Sequence, residues 1–269
     1  MKLTANLSML FTEVPLLMRF ELAKKAGFDA VEIQFPYDTP VAQIKEQLDK
    51  HNLQCVLINV PAGDLMEGGE GLASVPGKEA EFTAALVECL SYVSALKVEC
   101  VNVLPGRCMQ PERQDEYLTT FKKNLVTAAD MLQQVGVTVV FEAINTFDMP
   151  GFLINTVEQQ LDIKKELNHS NLKIQFDVYH MVRMRKKNQF SDVTEYLARN
   201  GKEIGHIQFA DVPGRGEPGS GMLDFNTIFH AINQSDYQGW VGAEYKPSAH
   251  TKESFGWKNM LASGVAMCS

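Results

Sequence analysis

The sequence predicts a single α/β domain, a closed (β/α)8 barrel spanning residues 1–269. The chain has the length of one such barrel. Its short apolar runs are nearly continuous, as in a parallel sheet that is covered on both faces, and segments with helical periodicity lie between them. The rival is an open, doubly wound sheet, which usually carries a glycine-rich loop after its first strand. Here the residues after Ser8 read MLFTEVP, without glycine, so we favour the barrel.

Eight apolar runs are predicted to be strands. Each is short and rich in β-branched and aromatic residues, as buried strands are. The run VTVVFE is unusual because it ends on a glutamate, Glu142. A buried charge is costly unless something compensates it, so this residue needs a partner or a function. The predicted strands cover residues 3–8, 30–35, 54–60, 100–104, 137–142, 172–177, 204–209 and 240–245.

The segments between the strands are predicted to be helices, which gives eight βα units. Residues 15–27 show an apolar face and end at Gly27, a natural C-cap. The two longest loops, 61–77 and 210–223, are expected to be functional, since loops of that length in a compact domain are usually lids or binding loops. Further helices are predicted over 78–97, 114–136, 155–167, 190–200, 224–234 and 251–261.

The composition argues against nucleic-acid-binding, secreted and membrane proteins. The net charge of −8 disfavours nucleic acid, which needs a local basic face; the nearest candidate, RMRKK at 183–187, is interpreted as a solvated helix end. Five cysteines without a CxxC pair indicate reduced thiols. The sequence shows neither a signal-peptide core nor a membrane-spanning apolar window. We expect a soluble, cytoplasmic protein that binds neither nucleic acid nor membrane; a homo-oligomer stays open.

Polar side chains end four successive predicted strands, at spacings of 35, 31 and 36 residues, each equal to one βα unit. They should converge, because barrel chemistry lies at the carboxyl ends of the strands. Three carboxylates in contact repel unless a proton or cation intervenes, and oxygen ligands favour Mg²⁺ or Mn²⁺. The alternative is that each acid caps a helix or pairs with a lysine. The four residues are Glu142, Asp177, Gln208 and Glu244.

Candidate substrate contacts surround this set. Arg215 lies in a glycine-rich loop and could place its guanidinium on a carboxylate of the substrate. His206 should point into the barrel one layer below Gln208. Each candidate has a structural alternative, either an exposed cation or a packed core histidine. The candidate contacts are Asn6 at the end of the first strand, His180 in FDVYH, Arg215, and Lys246, which should share the side of Glu244.

Eight stretches of the sequence, in order, resemble the hydroxypyruvate isomerase family of xylose-isomerase-like TIM barrels. The similarity runs from about residue 3 to residue 258, and the tail 259–269 lies outside it. Any one stretch would be weak, but eight in order are specific. The stretches are ANLSMLFTEVP, FDAVEIQFPY, PAGD, GLASVPG, EAINTFDMPGF, IQFDVYHMVRM, IGHIQFADVPGRGEPGSG and GWVGAEYKP.

The resemblance implies roles for these residues. The family's catalytic glutamate pair falls on Glu142 and Glu244, and the metal ligands of the related ketose 3-epimerases fall on these two, Asp177 and Gln208. HIQ stands where those enzymes have His-x-His, and an amide is a weaker ligand than imidazole, which leaves the need for metal open. The E-x-x-N-x-F-[DE] pattern of the epimerases is present as well, and it makes Asp148 a candidate to contact the metal ligands without binding the metal itself. His206 is a second candidate for this role.

The resemblance also implies an activity. It is the interconversion of hydroxypyruvate and 2-hydroxy-3-oxopropanoate (tartronate semialdehyde) through an enediolate, with the two glutamates as proton acceptor and donor and Mg²⁺ or Mn²⁺ as cofactor. Alternatives are isomerisation of 2-oxo-tetronate, ketose 3-epimerisation, and a sugar-acid-binding protein without catalysis. The metal-dependent apurinic-site endonucleases share the fold, but a net charge of −8 and six histidines, few of them near the mouth, argue against that class.

Overall fold

The eight strands are parallel and pair in chain order into a closed barrel, which confirms the predicted fold class. The computed structural model describes residues 1–184 and 191–263. Every predicted strand is present, most of them one or two residues shorter than predicted. The strands are β1 (Lys2–Asn6), β2 (Ala30–Ile33), β3 (Gln54–Asn59), β4 (Cys100–Asn102), β5 (Thr138–Glu142), β6 (Leu172–Asp177), β7 (Ile204–Phe209) and β8 (Trp240–Ala243).

The strands are apolar on both sides because both sides are covered. On β5, the ring of Phe141 lies 5.9 Å from that of Phe121 on the surrounding helices, within the main hydrophobic core. Val140 points the other way, into a small apolar cluster inside the barrel with Ala30 and Leu57. Residues two apart on a strand share a side, so Glu142 lies one layer above Val140, at the mouth.

Helices cover the outside of the barrel. The predicted helix at 251–261 is a 3-10 turn, Thr251–Glu253, followed by a short helix. A further short helix, Val178–Met184, directly follows β6 and carries His180. The helices are α1 (Leu16–Lys25), α2 (Val41–His51), α3 (Glu79–Leu96), α4 (Gln114–Gln133), α5 (Val157–Leu167), α6 (Val178–Met184), α7 (Ser191–Asn200), α8 (Phe225–Gln234) and α9 (Lys258–Ser263).

Helix α2 lies in a segment where the sequence pattern did not identify a helix. It buries only Ile44 and Leu48, about one side chain per turn, so its apolar periodicity is weak. Its ends are nevertheless well defined. It starts after Pro40, and Asn52 adopts a left-handed conformation at its C-terminus, a common way for a helix to end.

Three expectations concern membrane spans, cysteines and the basic stretch, and the described residues test them only in part. Within the described ranges, no helix is long and apolar enough to cross a membrane. Four cysteines, Cys55, Cys89, Cys100 and Cys108, are buried free thiols, whereas Cys268 lies outside the described residues. Most of the basic stretch RMRKK, namely residues 185–187, lies outside them as well.

Candidate active site at the mouth of the barrel

A cavity of about 190 Å³ opens at the carboxyl ends of the strands. One wall is apolar and includes Phe35, Leu104, Ile144 and Met149. The rest of the lining is polar, so it can orient a small hydrophilic molecule. The polar lining consists of Gln34, Asn59, Asn102, Glu142, Asp148, Gln175, His180, Gln208, Arg215 and Glu244.

Strand register brings the acidic residues together. Glu142 is the last residue of β5 and pairs with Gln175 on β6, and Asp177, two residues further on, pairs with Gln208 on β7. Glu244 directly follows β8. All of these side chains are buried. The four residues that end successive strands therefore meet in one place.

Glu142 and Asp177 form the centre of a candidate metal site. One potential ligand atom from each of Glu142, Asp177 and His180 lies within 4.8 Å of the others. Glu142 Oε1 and Asp177 Oδ2 are buried and have no hydrogen-bond partner among the described residues. Unpartnered buried acceptors that face one another are rare, and a cation would satisfy both. The residues therefore fit a divalent ion.

His180 is held from behind by Asn145. Its Nδ1 lies 2.7 Å from Asn145 Nδ2, and that amide also donates to Asp148 Oδ2 at 3.0 Å. Tyr179 donates its hydroxyl to the same carboxylate oxygen at 2.8 Å. Because Nδ1 accepts from an amide, the neutral ring carries its proton on Nε2. Nε2 points towards Asp177 Oδ2, 3.6 Å away, and is a hydrogen-bond donor to the cavity.

Arg215 places a guanidinium among the carboxylates. It donates from Nη2 to Glu244 Oε2, and the same nitrogen lies 3.7 Å from Asp177 Oδ2. The side chain is 17% exposed and lies over the ring of Tyr179, 5.3 Å from its centroid. In this arrangement the guanidinium neutralises part of the acidic cluster while one edge stays accessible to a ligand.

The loop that carries Arg215 is fixed by one buried carboxylate. Asp211 is 1% exposed and accepts hydrogen bonds from five backbone N–H groups of the loop. Arg215 itself adopts a left-handed conformation, with φ of 58°, and its carbonyl accepts from the backbone N–H of Lys246 at 2.7 Å. The five donors belong to Val212, Gly219, Gly221, Met222 and Leu223.

Burial and mutual repulsion change the proton affinities of the cluster. Burial, then the charges of Asp177 and Glu244, raise the pKa of Glu142 well above its usual value. Burial raises the pKa of Asp177 to about 7, although Arg215 acts in the opposite direction. Burial, then Arg215, lowers the pKa of His180 well below its usual value. Without a bound cation, burial therefore favours the neutral forms of both Glu142 and His180.

Arg215 stays charged in this setting. Burial disfavours the guanidinium, but the carboxylates of Glu244, Asp177 and Glu142 outweigh it and raise the pKa of Arg215 above its usual value. An arginine that is both charged and partly desolvated interacts strongly with an anionic ligand. The site can therefore bind a small acid although the protein as a whole is acidic.

Two amides hold Glu244 on the side away from Arg215. Glu244 Oε1 accepts from Asn6 Nδ2 at 2.9 Å and from Gln34 Nε2 at 2.8 Å. With Arg215 on Oε2, both oxygens are occupied by donors. The carboxyl group of Glu244 is therefore held in one orientation.

A second amide chain holds Glu142. Gln175 Nε2 donates to Glu142 Oε2 at 3.0 Å and to Gln208 Oε1 at 2.6 Å, and Asn102 Nδ2 lies 3.4 Å from the same oxygen of Glu142. Gln208 Nε2 donates in turn to Glu32 Oε1 at 2.7 Å. All donors thus contact Oε2 of Glu142, and Oε1 is left facing the cavity.

Only some of the residues predicted from sequence line the cavity. His206 lies below Gln208, with Nε2 2.6 Å from Glu32 Oε2. Asn6 contacts Glu244 rather than the cavity, and Asp148 lines the cavity. Lys246 is exposed and lies outside the cavity lining formed by the described residues, because β8 ends at Ala243 and the strand alternation stops there.

Sequence reasoning missed the amides and Glu32. Gln175 shares the side of Asp177, two residues away, and this spacing could have identified it. Glu32 stands alone between apolar neighbours in AVEIQF, and a charge inside an apolar run is the signal that was available. Gln34 and Asn102 carry no comparable signal in the sequence.

A parallel βα barrel with buried carboxylates, amides and one arginine at its mouth defines a class of small-molecule enzymes. A family model described as xylose isomerase-like TIM barrel matches residues 20–260. The chain belongs to this family.

Similar proteins narrow the class further. The chain is 39% identical to the hydroxypyruvate isomerase of Escherichia coli, with 96% of this chain and 98% of that protein covered. It is 38% identical to the 2-oxo-tetronate isomerase of Cupriavidus necator, with 95% and 96% covered. A Brucella melitensis structure described as AP endonuclease, family 2, shares 36% identity at a TM-score of 0.90, with 96% and 98% covered. The curated relatives identify the chain as an enzyme of the isomerase type.

Proposed function

We propose that the protein interconverts hydroxypyruvate and 2-hydroxy-3-oxopropanoate, with Glu142 and Glu244 as the proton-transfer pair. One observation carries this proposal: two buried glutamates at one cavity have opposite surroundings. Glu244 accepts from Arg215, Asn6 and Gln34, so both of its oxygens have donors. Glu142 has an oxygen without a donor among the described residues and a pKa raised well above its usual value, by burial first. Two carboxyl groups in such different surroundings suit the separate roles of base and acid.

The reaction moves one hydrogen between adjacent carbons. Glu244 takes the proton from the hydroxyl-bearing carbon next to the substrate carbonyl, and the electron pair moves onto the carbonyl oxygen to form an enediolate. Glu142 delivers a proton to the neighbouring carbon, and the hydroxyl proton passes to the former carbonyl oxygen as the new carbonyl forms. Proton transfer by a positioned side chain is worth about 10²–10⁴-fold in rate.

Charge develops on the substrate oxygens in this step. Nε2–H of His180 points into the cavity as a neutral donor and can stabilise that charge without reorganisation. A divalent cation, Mn²⁺ or Mg²⁺, would be held by Glu142, Asp177, Gln208 and Glu244 with Glu142 ionised, and it would supply Lewis-acid polarisation of the carbonyl; the acid role of Glu142 applies to the site without a cation. The mixed oxygen donor set suits such hard or borderline ions.

The carboxylate of the substrate needs a cation of its own. Arg215 supplies it in our proposal, because its guanidinium reaches the cavity. Lys246 was the other candidate from sequence, but its side chain is exposed to solvent. The apolar wall of Phe35, Leu104 and Ile144 would face the carbon atoms. A three-carbon acid thus meets a charged, a neutral polar and an apolar surface.

The second candidate function is isomerisation of 2-oxo-tetronate. It is favoured by the 38% identity to the enzyme of Cupriavidus necator, close to the 39% shared with the hydroxypyruvate isomerase. The two substrates present the same 2-oxo acid group and differ by one carbon. Assays with both acids in parallel distinguish the two activities.

The description of the Brucella relative raises the endonuclease function once more. Against it stands the net charge of −8, since nucleic acid binding rests on phosphate neutralisation by basic residues. In the described part of the chain, the candidate metal cluster has a single histidine, His180. We therefore rank this function below both isomerase activities.

The test is solvent deuterium incorporation. Hydroxypyruvate, 2-oxo-tetronate and an abasic-site DNA duplex are each incubated with the protein in D₂O, with Mn²⁺ and with a chelator. An isomerase exchanges the transferred hydrogen and forms product, whereas a binding protein leaves hydroxypyruvate unlabelled. Absence of label and product with both acids refutes the proposal, and cleavage of the duplex would establish the endonuclease instead.

A further inference from the structure

Glu32 is a fully buried carboxylate beneath the site, on the central part of the barrel interior. It is 0% exposed and does not line the cavity as formed by the described residues. Burial of a carboxylate is costly unless its oxygens are well satisfied. The barrel makes room for it at Gly242, where a Cβ would lie 2.5 Å from Glu32 Oε2. The absence of a side chain at Gly242 therefore leaves the space that the carboxyl group of Glu32 fills.

Three side chains donate to Glu32. Oε1 accepts from Asn6 Nδ2 at 2.9 Å and from Gln208 Nε2 at 2.7 Å, and Oε2 lies 2.6 Å from His206 Nε2. The donors come from β1 on one side and β7 on the other. Glu32 therefore ties together two strands that are not neighbours in the barrel.

Each of the two amides continues to one proposed proton-transfer residue. Asn6 Nδ2 has a second contact, to Glu244 Oε1 at 2.9 Å. Gln208 Oε1 accepts from Gln175 Nε2, and Gln175 also donates to Glu142. The contacts thus form one chain that runs from Glu244 through Glu32 to Glu142.

We infer that Glu32 is a positioning residue, which orients the amides of Asn6 and Gln208 and thereby places the carboxylates of Glu244 and Glu142. An amide can turn over and exchange its oxygen and nitrogen, and only its partners decide between the two orientations. The acceptor oxygen Oε1 of Glu32 holds both NH₂ groups towards itself, and the backbone N–H of Ser8 supports the same orientation of Asn6 by donating to its Oδ1 at 3.0 Å. Gln208 then presents its oxygen upward, and Asn6 keeps one hydrogen for Glu244.

The Glu32→Met variant tests this inference because methionine has a similar length and no acceptor oxygen. The NH₂ groups of Asn6 and Gln208 then lose the acceptor that they share. If Gln208 turns over, its nitrogen faces the nitrogen of Gln175. Glu32→Gln is the matched control, because its amide oxygen still accepts from Asn6 and Gln208 while its NH₂ group donates to the other tautomer of His206.

The inference rests on the proposed function, so the experiment includes a measurement that does not depend on turnover. Kinetic constants for the 2-oxo acid are measured together with hydrogen exchange of side-chain amides by NMR. The NH₂ signals of Asn6 and Gln208 are identified by their absence in Asn6→Asp and Gln208→Glu variants. Replacing an outer partner of a site residue typically costs 10–100-fold. We expect Glu32→Met to lower kcat by about that factor, to change KM less than about threefold, and to make both amides exchange rapidly, while Glu32→Gln stays close to wild type.

Two further variants complete the test. Gly242→Ala keeps the side chain of Glu32 but displaces its carboxyl group, and it should reproduce the kcat loss even if Glu32→Met fails to fold. Ile163→Ala, in the core around helix α5, should lower the melting temperature while leaving kcat and the amide signals unchanged. Unaltered kcat and slow amide exchange in folded Glu32→Met overturn the inference. If the wild-type protein converts neither 2-oxo acid, the proposed function fails, and amide exchange still decides the role of Glu32.

Discussion

Replacing Glu142 with glutamine should have opposite effects on activity and on stability. The side chain keeps its shape. Glu142 Oε2 receives both amide donors, from Gln175 at 3.0 Å and Asn102 at 3.4 Å, so the amide oxygen of the variant must take that position. Its NH₂ group then takes the position of Oε1, facing the unpartnered Oδ2 of Asp177. The variant therefore gains a contact where the wild-type protein has a repulsion whenever Glu142 is ionised.

The loss of activity follows from the loss of proton transfer. A positioned acid or base contributes about 10²–10⁴-fold in rate, and an amide can neither give nor take the proton. We expect kcat to fall by at least about 10²-fold, with bound substrate held by the unchanged Arg215 and His180. Steady-state assays with hydroxypyruvate, and with 2-oxo-tetronate in parallel, measure this loss.

The gain in stability has a defined pH dependence. Burial, then Asp177 and Glu244, raise the pKa of Glu142 well above its value in the unfolded chain. The folded protein therefore binds the proton more tightly, and wild-type stability is lost as the pH rises through the folded pKa. Each unit of this shift corresponds to about 1.4 kcal/mol, or about 3–5 °C in melting temperature for a chain of this size. Without divalent metal, the advantage of the variant should be larger at pH 8.5 than at pH 6.

Thermal unfolding in chelator at both pH values tests the reasoning. Glu81→Gln, at an exposed position in the first turn of α3, is the matched control and should change neither property. A Glu142→Gln protein with kcat within threefold of wild type would remove Glu142 from proton transfer. A melting temperature below wild type at pH 8.5 would contradict the electrostatic argument independently.

Three other substitutions test the remaining assignments. Arg215→Ala should raise KM for the 2-oxo acid about 10- to 150-fold, because a charged hydrogen bond is worth about 1.5–3 kcal/mol; an unchanged KM places the carboxylate contact elsewhere. Glu244→Gln should abolish turnover while the far-ultraviolet circular dichroism stays native, and near-wild-type rates would exclude it as the base. Asp177→Asn should lose the stabilisation by Mn²⁺, worth about 2.7 kcal/mol at 100 times Kd in the wild-type protein; equal thermal shifts in both proteins would argue against Asp177 as a ligand.

Much of the fold and part of the candidate site could be predicted from sequence because parallel strands follow a simple rule. Their carboxyl ends lie on one side of the sheet, so residues that end successive strands must meet. This reasoning identified Glu142, Asp177, Gln208 and Glu244 from spacing alone. Their meeting is a property of the backbone, and it does not depend on details of side-chain packing.

The rest depended on geometry that spacing does not encode. Lys246 was expected beside Glu244, but β8 ends at Ala243, and the alternation of sides holds only within a strand. The role of Glu32 depends on a missing Cβ at Gly242 on a strand more than 200 residues away in sequence. Helix α2 was not predicted because its buried face has only two apolar side chains, Ile44 and Leu48.

The arginine-bearing loop has a consequence for how the enzyme meets its substrate. Five backbone N–H groups already end on Asp211 before any ligand arrives. Few residues of the loop then lose conformational freedom when a small acid binds, and this reduces the entropic cost of binding. We expect the substrate to bind to a preformed site, at an association rate set by diffusion and charge rather than by closure of a loop.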